Sequence, residues 1–579
     1  MTRNSILLLS CIIMTTLVPV TASGQSHTEI EVAKGVVYSQ TVNEGSQPMV
    51  VSLLKVDLHQ AGVRAVCGQA YGGITSRGPA SGRQSVEDIA SHYHAIAGVN
   101  ADFFPWTGRP LDLAIHDGEV YSFPFGGRPA IGFKRNGEAV MAQLQETCVL
   151  RMPNHTSIRI SAIDQPASAQ SAVLYTTFYH LPIKATGDGE AFTVGCGALQ
   201  PFMLKKVRLL SARPFTSGQL IPAATADTMV LVVSGWQAVP LTTVAAEGYA
   251  TLSAKLLPNS GVSQSPVWRR VVEAVSGGPW IVRNGEVVSS AQQSGFGLHS
   301  FILYHHPRTA VGITASGNLI LAVVDGRSPI SSGMSLAQLG TLMKEAGAVN
   351  AMNLDGGGSS AMVVRGRIVN MPSDGTSRLV ANSLLITALA NSISTNEPMI
   401  SLPGTATAIT AGTTVHIDCS GHPFLWGTAH GLGFVDQTGR FTSFVAGETT
   451  IVAGHGAHRS QLKLVVAPAA VNHLRATLVA ETAYTSKLTM HAYDRYGNEV
   501  PGISVQVTTT PGSAPLTLTT DRDGSSVTTI TWPASTVGTA EVTLTARGVP
   551  PLVMQRIAEK VNQTTETPQP IDPGNRSKP

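Results

Sequence analysis

The densest run of chemically capable residues is NLDGGGSSAMVVRGRIVNMPSDGTSRLVANSLLI, at 353–386. Asp355 follows an apolar, strand-like run and precedes three glycines and two serines. Consecutive glycines let the backbone turn sharply and approach a ligand. Their N–H groups can converge on an oxyanion. A carboxylate fixed at a strand end beside such a loop is a candidate catalytic group, with Asn353, Gly356, Gly357, Gly358 and Ser359 as candidate substrate-binding residues. Taken alone, DGGG also suits a plain strand-to-turn connection. Arg308, in HHPRTAVGI, is restrained by Pro307 and suits bidentate recognition of phosphate or carboxylate. Asp325 closes the run VVDGR, where in isolation it reads as a turn residue. Arg378 and Asn382 precede a further strand and either line a site or satisfy backbone groups. His305 and His306 would diverge on a strand, and His92 and His94 do not share a helix face, so neither pair reads as chelating. No P-loop, G-x-S-x-G, H-E-x-x-H or dinucleotide fingerprint is present.

These residues need elements to hold them, and the sequence repeats its answer. SVEDIASHYHAIAGVNADFF (85–104) parallels SLAQLGTLMKEAGAVNAMNLDGGG (335–358). Each copy opens with a capping-box serine: Ser85 with Asp88, and Ser335 with Gln338. Each continues with apolar residues every three to four positions, an amphipathic helix, and then a short apolar strand ending in Asn-x-Asp. The ends are Asn100-Ala101-Asp102 and Asn353-Leu354-Asp355. A duplicated unit would bring both ends to equivalent places, so Asp102 joins Asp355 as a catalytic candidate and Asn100 as a binding one. Hairpin patterns recur at 114–122, 281–289 and 362–370, with Asp117-Gly118 and Asn284-Gly285 as tight-turn signals.

Composition sets the frame. The chain has 579 residues, 13% charged and 43% hydrophobic, with 57 glycines and a net charge of +3. That excludes pervasive disorder. The near balance of 39 basic and 36 acidic residues, with no basic stripe, argues against a nucleic-acid partner. The mature chain has no transmembrane run of ~18 apolar residues. Residues 1–22 read as a secretory signal peptide: Arg3, an apolar run from Ile6 to Val18, then Val20-Thr21-Ala22. The expected location is secreted, periplasmic or cell-surface. Cys67, Cys148, Cys196 and Cys419 remain after cleavage, and Cys148 and Cys196 are either a pair or free buried thiols.

GVNADFF (98–104), HPRTAVGI (306–313), VVDGR (323–327), NLDGGGSSAMVV (353–364) and NMPSDGTSRLVANSLLI (370–386) resemble the phosphodiester glycosidase family in sequence and order. The resemblance spans roughly residues 80–390 and is weaker over 160–280. One departure is Ala101, where family members often carry glycine. The resemblance implies cleavage of a sugar-1-phosphodiester at the anomeric C–O bond. It places Arg308 and the 356–358 backbone on the phosphate. Asp102 and Asp355 then face the anomeric carbon. The substrate is a glycan or sugar phosphate. No motif calls for a cofactor, and a divalent cation and the oligomeric state stay open.

The fold class expected is α+β: a duplicated β-rich catalytic domain with few helices at 27–390, then two all-β Ig-like sandwiches. Residues 398–466, with GFVDQTGRFTSFVAGETTIVAG, resemble bacterial Ig-like repeats. Residues 467–555, with AYDRYGNEVPGISVQV, resemble invasin and intimin modules, and 556–579 read as a disordered tail. Two functions fit: a hydrolase of sugar-1-phosphodiesters in envelope glycans or exopolysaccharide, and a non-catalytic glycan-binding or adhesive envelope protein with a vestigial site. Retention of Asn100, Asp102, Arg308, Asp325, Asp355, Arg378 and Asn382 together favours the hydrolase. Expressed with its leader in a secreting host, the exported chain should begin near Ser23. An intact Met1 on the exported product, read by N-terminal sequencing, overturns the signal-peptide assignment.

Overall fold

The computed structural model describes residues 25–44, 46–74, 82–125, 127–235, 248–259, 266–288, 296, 299–389, 399–402, 407–420, 425–455, 458–482, 484–512, 514–533 and 538–558. The expected signal peptide and residues 559–579 of the expected tail lie outside them; the first three residues of that tail, Arg556 to Ala558, instead end the strand Leu552–Ala558, paired with Gly538 to Ala540. The chain divides into two compact units. The first is residues 1–400 with 419–439 and 451–461; the second takes 401–418, 440–450 and 462–579. The stretch 398–466, expected as one module, is therefore shared between the two.

In the first unit one sheet runs Gln25–Ala33, Val36–Asn43, Met49–Val56, Leu319–Val324, Arg308–Thr314, Ala348–Asn353, Trp280–Arg283 and Glu286–Val287, antiparallel throughout. Its central strands are buried on both faces, which explains their nearly unbroken apolar runs. Alternation still sorts them. Val311, Leu321 and Val323 face one core, while Ala310, Ile320, Ala322 and Val324 meet Leu336, Leu339 and Met343 of helix Leu336–Glu345.

A second sheet path runs Leu425–Thr428, Arg367–Ile368, Met362–Val364, Ala97–Asn100, Asn382–Thr387 and Arg64–Gln69. Val99, Met362 and Leu384 share the core of the first sheet, whereas Val363, Ile368 and Leu385 pack on Val86, Ile89 and Ala90 of helix Val86–His92. The layers are thus helix, sheet, sheet, helix. Both helices carry their serine caps. Ser335 makes the full capping box, and Ser85 accepts from the Asp88 amide. The three hairpins turn alike, with positive φ at Asp117 and Gly118, Asn284 and Gly285, and Arg365 and Gly366.

In the chain between these two sets of strands, the described strands from Ala114 to Ser276 form a further β-sheet whose core includes Leu150, Phe192, Leu209, Leu231 and Trp268. Cys67, Cys148, Cys196 and Cys419 are free thiols, which resolves the open alternative for Cys148 and Cys196. Among the described residues no helix is long and apolar enough to cross a membrane.

The second unit holds a three-stranded sheet, Val471–Ala480, Thr485–Asp494 and Ser525–Thr531, and a four-stranded one, Leu516–Thr519, Ser504–Thr510, Gly538–Ala546 and Leu552–Ala558. Leu488, Met490, Val505, Val507, Trp532 and Leu544 fill the space between them. Asp494 ties a turn by accepting the amides of Tyr496 and Asn498 at 2.8 and 2.9 Å.

Leu321 is fully buried in the core between the two sheets, whereas Leu204 is 78% exposed. Leu321→Ala should cost about 2–5 kcal/mol of stability. Leu204→Ala should stay within about 0.5 kcal/mol. Urea denaturation of both variants checks the burial pattern, and equal losses contradict it.

Candidate active site

The two Asn-x-Asp segments leave the ends of interior strands of the two packed sheets, and the backbone stitches them together. The Asp355 amide donates to the Ala101 carbonyl at 2.9 Å. Asn100 Nδ2 donates to the Asp355 carbonyl at 2.6 Å, while its Oδ1 accepts the Thr309 hydroxyl at 2.8 Å and the Ala361 amide at 3.2 Å. These bonds bring Asn100, Asp102 and Asp355 together, with Asn353 two residues before Asp355 and Asn382 bonded to Asp102.

Asp102 is 2% exposed, and its carboxylate has fixed partners. Oδ1 accepts the Ser276 amide at 3.0 Å, Oδ2 accepts Asn382 Nδ2 at 2.9 Å, and Asn382 Oδ1 accepts the Asp102 amide in return. Burial pushes its pKa well above the usual carboxylate range, and the nearby Asp112 carboxyl pushes the same way. Asp112 is buried too, raised to about 6 mainly by desolvation. Its Oδ1 accepts the Leu113 amide at 2.8 Å. The Arg128 charge lowers both carboxyls. Its guanidinium lies 5.3 Å from the Phe103 ring centre and 4.7 Å from that of Phe296.

Asp355 is half-buried, and its Oδ1 accepts the Gly356 amide at 3.0 Å. Desolvation raises it to about 6, offset in part by Ser359 and by the Arg378 charge. The glycines beyond it are required by what lies against them. Gly357 has φ +64, and a β-carbon there would sit 3.1 Å from the Arg327 guanidinium. At Gly358 a β-carbon would fall 2.0 Å from an Arg378 nitrogen and 2.3 Å from Asp374. Arg378 pairs with Asp374 at 2.7 Å and reaches Ser359 Oγ at 3.5 Å. Arg327 is exposed, has φ +59, and contacts His306 Nδ1 at 3.2 Å. Two guanidinium groups therefore flank the glycine loop beside a carboxylate.

Two sequence candidates do different work. Arg308, expected on the phosphate, is 1% exposed and donates to the carbonyls of Met334 (2.8 Å), Phe301 (2.7 Å) and Tyr304 (3.1 Å). It satisfies carbonyls at the end of the short helix His299–Leu303. Burial lowers its pKa to about 10. Asp325 is buried and accepts Asn370 Nδ2 at 2.9 Å and the Met371 amide at 2.9 Å, so it anchors the strand-end segment after Ile368. Asn353 donates to the carbonyls of Gly278 and Leu354, leaving Oδ1 buried without a partner. Sequence reading missed Asp112, Arg128 and Arg327. Arg327 was within reach, since it directly follows Asp325-Gly326, and so was Arg128, which opens RPAIGFKRNGEAVMA (128–142), a run that parallels PRTAVGITASGNLILA (307–322); Asp112 sits in no motif. Among the described residues no three His, Cys, Asp or Glu side chains gather as a metal-binding group.

Residues 216–387 match the sequence model of the phosphodiester glycosidase family. The mouse N-acetylglucosamine-1-phosphodiester alpha-N-acetylglucosaminidase is 34% identical over 112 residues, 18% of this chain and 21% of that protein. The SPbeta prophage-derived uncharacterized protein YomE of Bacillus subtilis (strain 168) is 37% identical over 109 residues, 19% of this chain and 16% of its own. The chain thus matches about a fifth of the length of these relatives. A solved hypothetical protein from Synechocystis shares the fold at a TM-score of 0.51 and 20% identity, covering 63% of this chain and 64% of that one.

Arg308→Ala leaves three main-chain carbonyls without their donor and should destabilise the first unit by at least about 2 kcal/mol, with Arg308→Lys recovering less than half. Urea unfolding measures this. An Arg308→Ala protein of wild-type stability that has lost only ligand affinity would return Arg308 to the phosphate.

Proposed function

We propose, on the premise that this chain carries a phosphodiester glycosidase domain, that it hydrolyses the glycosidic bond of sugar-1-phosphodiesters of the N-acetylglucosamine-1-phosphodiester type. The observation that carries the reading is the glycine loop held between Arg327 and Arg378 with Asp355 at its entrance. Guanidinium groups match phosphate oxygens, and the loop amides add donors. With the phosphate held there, the anomeric carbon lies toward the carboxylates.

In the reaction the bond from C1 to the phosphate oxygen breaks and a water oxygen takes its place on C1. The electron pair leaves with the phosphate monoester, whose second pKa is about 6, so a general acid has little to add at neutral pH. The demand falls on stabilising an oxocarbenium-like charge or on activating water. Asp355, half-ionised near pH 6, is charged at neutral pH and takes that role. Asp102 and Asp112, both raised and coupled to each other, hold or accept a proton more readily. Arg128 beside them limits the build-up of negative charge. The protein acts outside the cytoplasm on envelope or exopolysaccharide glycans, with 27–390 as the core of the catalytic domain and the second unit as a spacer.

The purified protein should release free sugar from an α-N-acetylglucosamine-1-phosphodiester. Asp355→Asn should lower kcat by at least ~10²-fold. No turnover across a broad panel of sugar-1-phosphodiesters by well-folded protein would favour the non-catalytic glycan-binding reading. The pH profile gives an independent check. Activity that needs ionised Asp355 rises with pH through about 6. Because the Arg378 charge lowers the pKa of Asp355, Arg378→Gln should move this acid limb to higher pH. A limb that stays in place, or moves down, contradicts the pairing of Asp355 with Arg378.

A further inference from the structure

The segment from Phe103 to Leu111 is a closed loop between the two buried carboxylates Asp102 and Asp112. The Leu111 amide donates to the Phe103 carbonyl at 2.9 Å, and Gln69 Nε2 holds the Gly108 carbonyl at 3.1 Å. Arg109, on this loop, borders two cavities. One, of about 230 Å³, is lined by Ile74, Thr107, Asp164, Tyr175, Tyr179 and Lys184 among others. The second, of about 300 Å³, is lined by Ser122, Phe123, Phe125, Ser161 and Gln165 among others.

The charge on these walls is one-sided. Arg109 donates to the neutral Gln165 Oε1 at 2.5 Å. Lys184 adds a second cation. Asp164 is the single acid among the residues lining either cavity. Its oxygens are spoken for: they accept the Thr176 amide and hydroxyl, each at 2.7 Å. Burial, with the Glu119 charge, raises it to about 8 even though the Thr176 bonds and the Arg109 charge pull it down, so it is a weak counter-ion to Arg109 at neutral pH. Around the cations stand Tyr175 and Tyr179 in the first cavity and Phe125, 65% exposed, at the second. Cations with aromatic walls are the chemistry of an anionic sugar chain.

We propose that the two cavities meeting at Arg109 form an anion subsite for a second phosphodiester of a polymeric substrate, one whose terminal sugar-1-phosphodiester occupies the Asp102 and Asp355 end. Arg109 is seven positions after Asp102, so the two lie within about 25 Å even for a fully extended chain. A polymer of sugar-1-phosphodiesters repeats the very anion that the glycine loop receives, and a monomeric substrate has nothing to place at Arg109. The proposal takes its substrate chemistry from the proposed function and adds the polymeric class.

The test compares two probes: methyl N-acetyl-α-glucosaminyl phosphate, and an oligomer of at least four N-acetylglucosamine-1-phosphate units. Arg109→Gln should raise KM for the oligomer at least tenfold and leave kcat/KM for the methyl phosphodiester unchanged, with Lys184→Gln showing a smaller shift of the same kind. Both variants should keep the wild-type melting temperature. Equal losses on the two probes, or no loss on either, overturn the subsite. A second arm measures equilibrium binding of the oligomer to Asp355→Asn protein, with and without Arg109→Gln. A tenfold loss of affinity supports the subsite even if the wild type turns over neither probe, in which case the hydrolase reading fails alone. Unchanged affinity overturns the subsite whatever the kinetics show.

Discussion

One buried amide holds the working end of the first unit together. Asn100 belongs to one sheet, and three of its hydrogen-bonding positions are spent on Asp355, Thr309 and Ala361. An amide that donates and accepts at once can join two segments whose free backbone groups are of opposite kind, which a hydroxyl or a carboxylate cannot do as well. Removing it would leave a buried carbonyl, hydroxyl and amide without this partner together. The relative placement of Asp102 and Asp355 follows from this junction, since each is within two residues of a bond that it makes or braces.

The same burial that fixes the carboxyls also sets their chemistry. Desolvation is the largest cause of the rise at Asp102, Asp112, Asp325 and Asp355. A carboxyl raised in the folded state binds protons that the unfolded chain has already released. For Asp355 that window runs from about 4 to about 6, and across it stability falls as pH rises. The site is therefore least comfortable where it is most charged, and the arginines are what make that charge tolerable. Arg128 serves Asp102 and Asp112, and Arg378 serves Asp355.

What could be read from sequence was local. The capping serines, the Asn-Gly and Asp-Gly turns and the two helix–strand–Asn-x-Asp units depend on residues within a few positions of one another, and they fold as written. Ala101, a departure from the resembled family, is fully buried and packs its methyl into the core between the two sheets. The role of Arg308 was not legible. The carbonyls it binds belong to Phe301, Tyr304 and Met334, and carbonyls carry no sequence signature. Asp112 meets Asp102 through the closure of the 103–111 loop, and Arg128 through the pairing of Ala130 with Ser276, whose amide binds Asp102. The division of 398–466 was hidden for a similar reason: Thr428 pairs with Ile368, sixty positions away, and β-pairing at that range leaves no periodicity to read.

Gly358 shows how an absent side chain can organise a present one. The volume that a β-carbon would need is filled by the Arg378 guanidinium and the Asp374 carboxylate. An exposed arginine ordinarily samples many rotamers, and that freedom must be surrendered when it grips an anion. Here the glycine notch and the paired carboxylate have already confined it. If the proposed phosphate binds here, much of the ordering cost of gripping it is met when the chain folds.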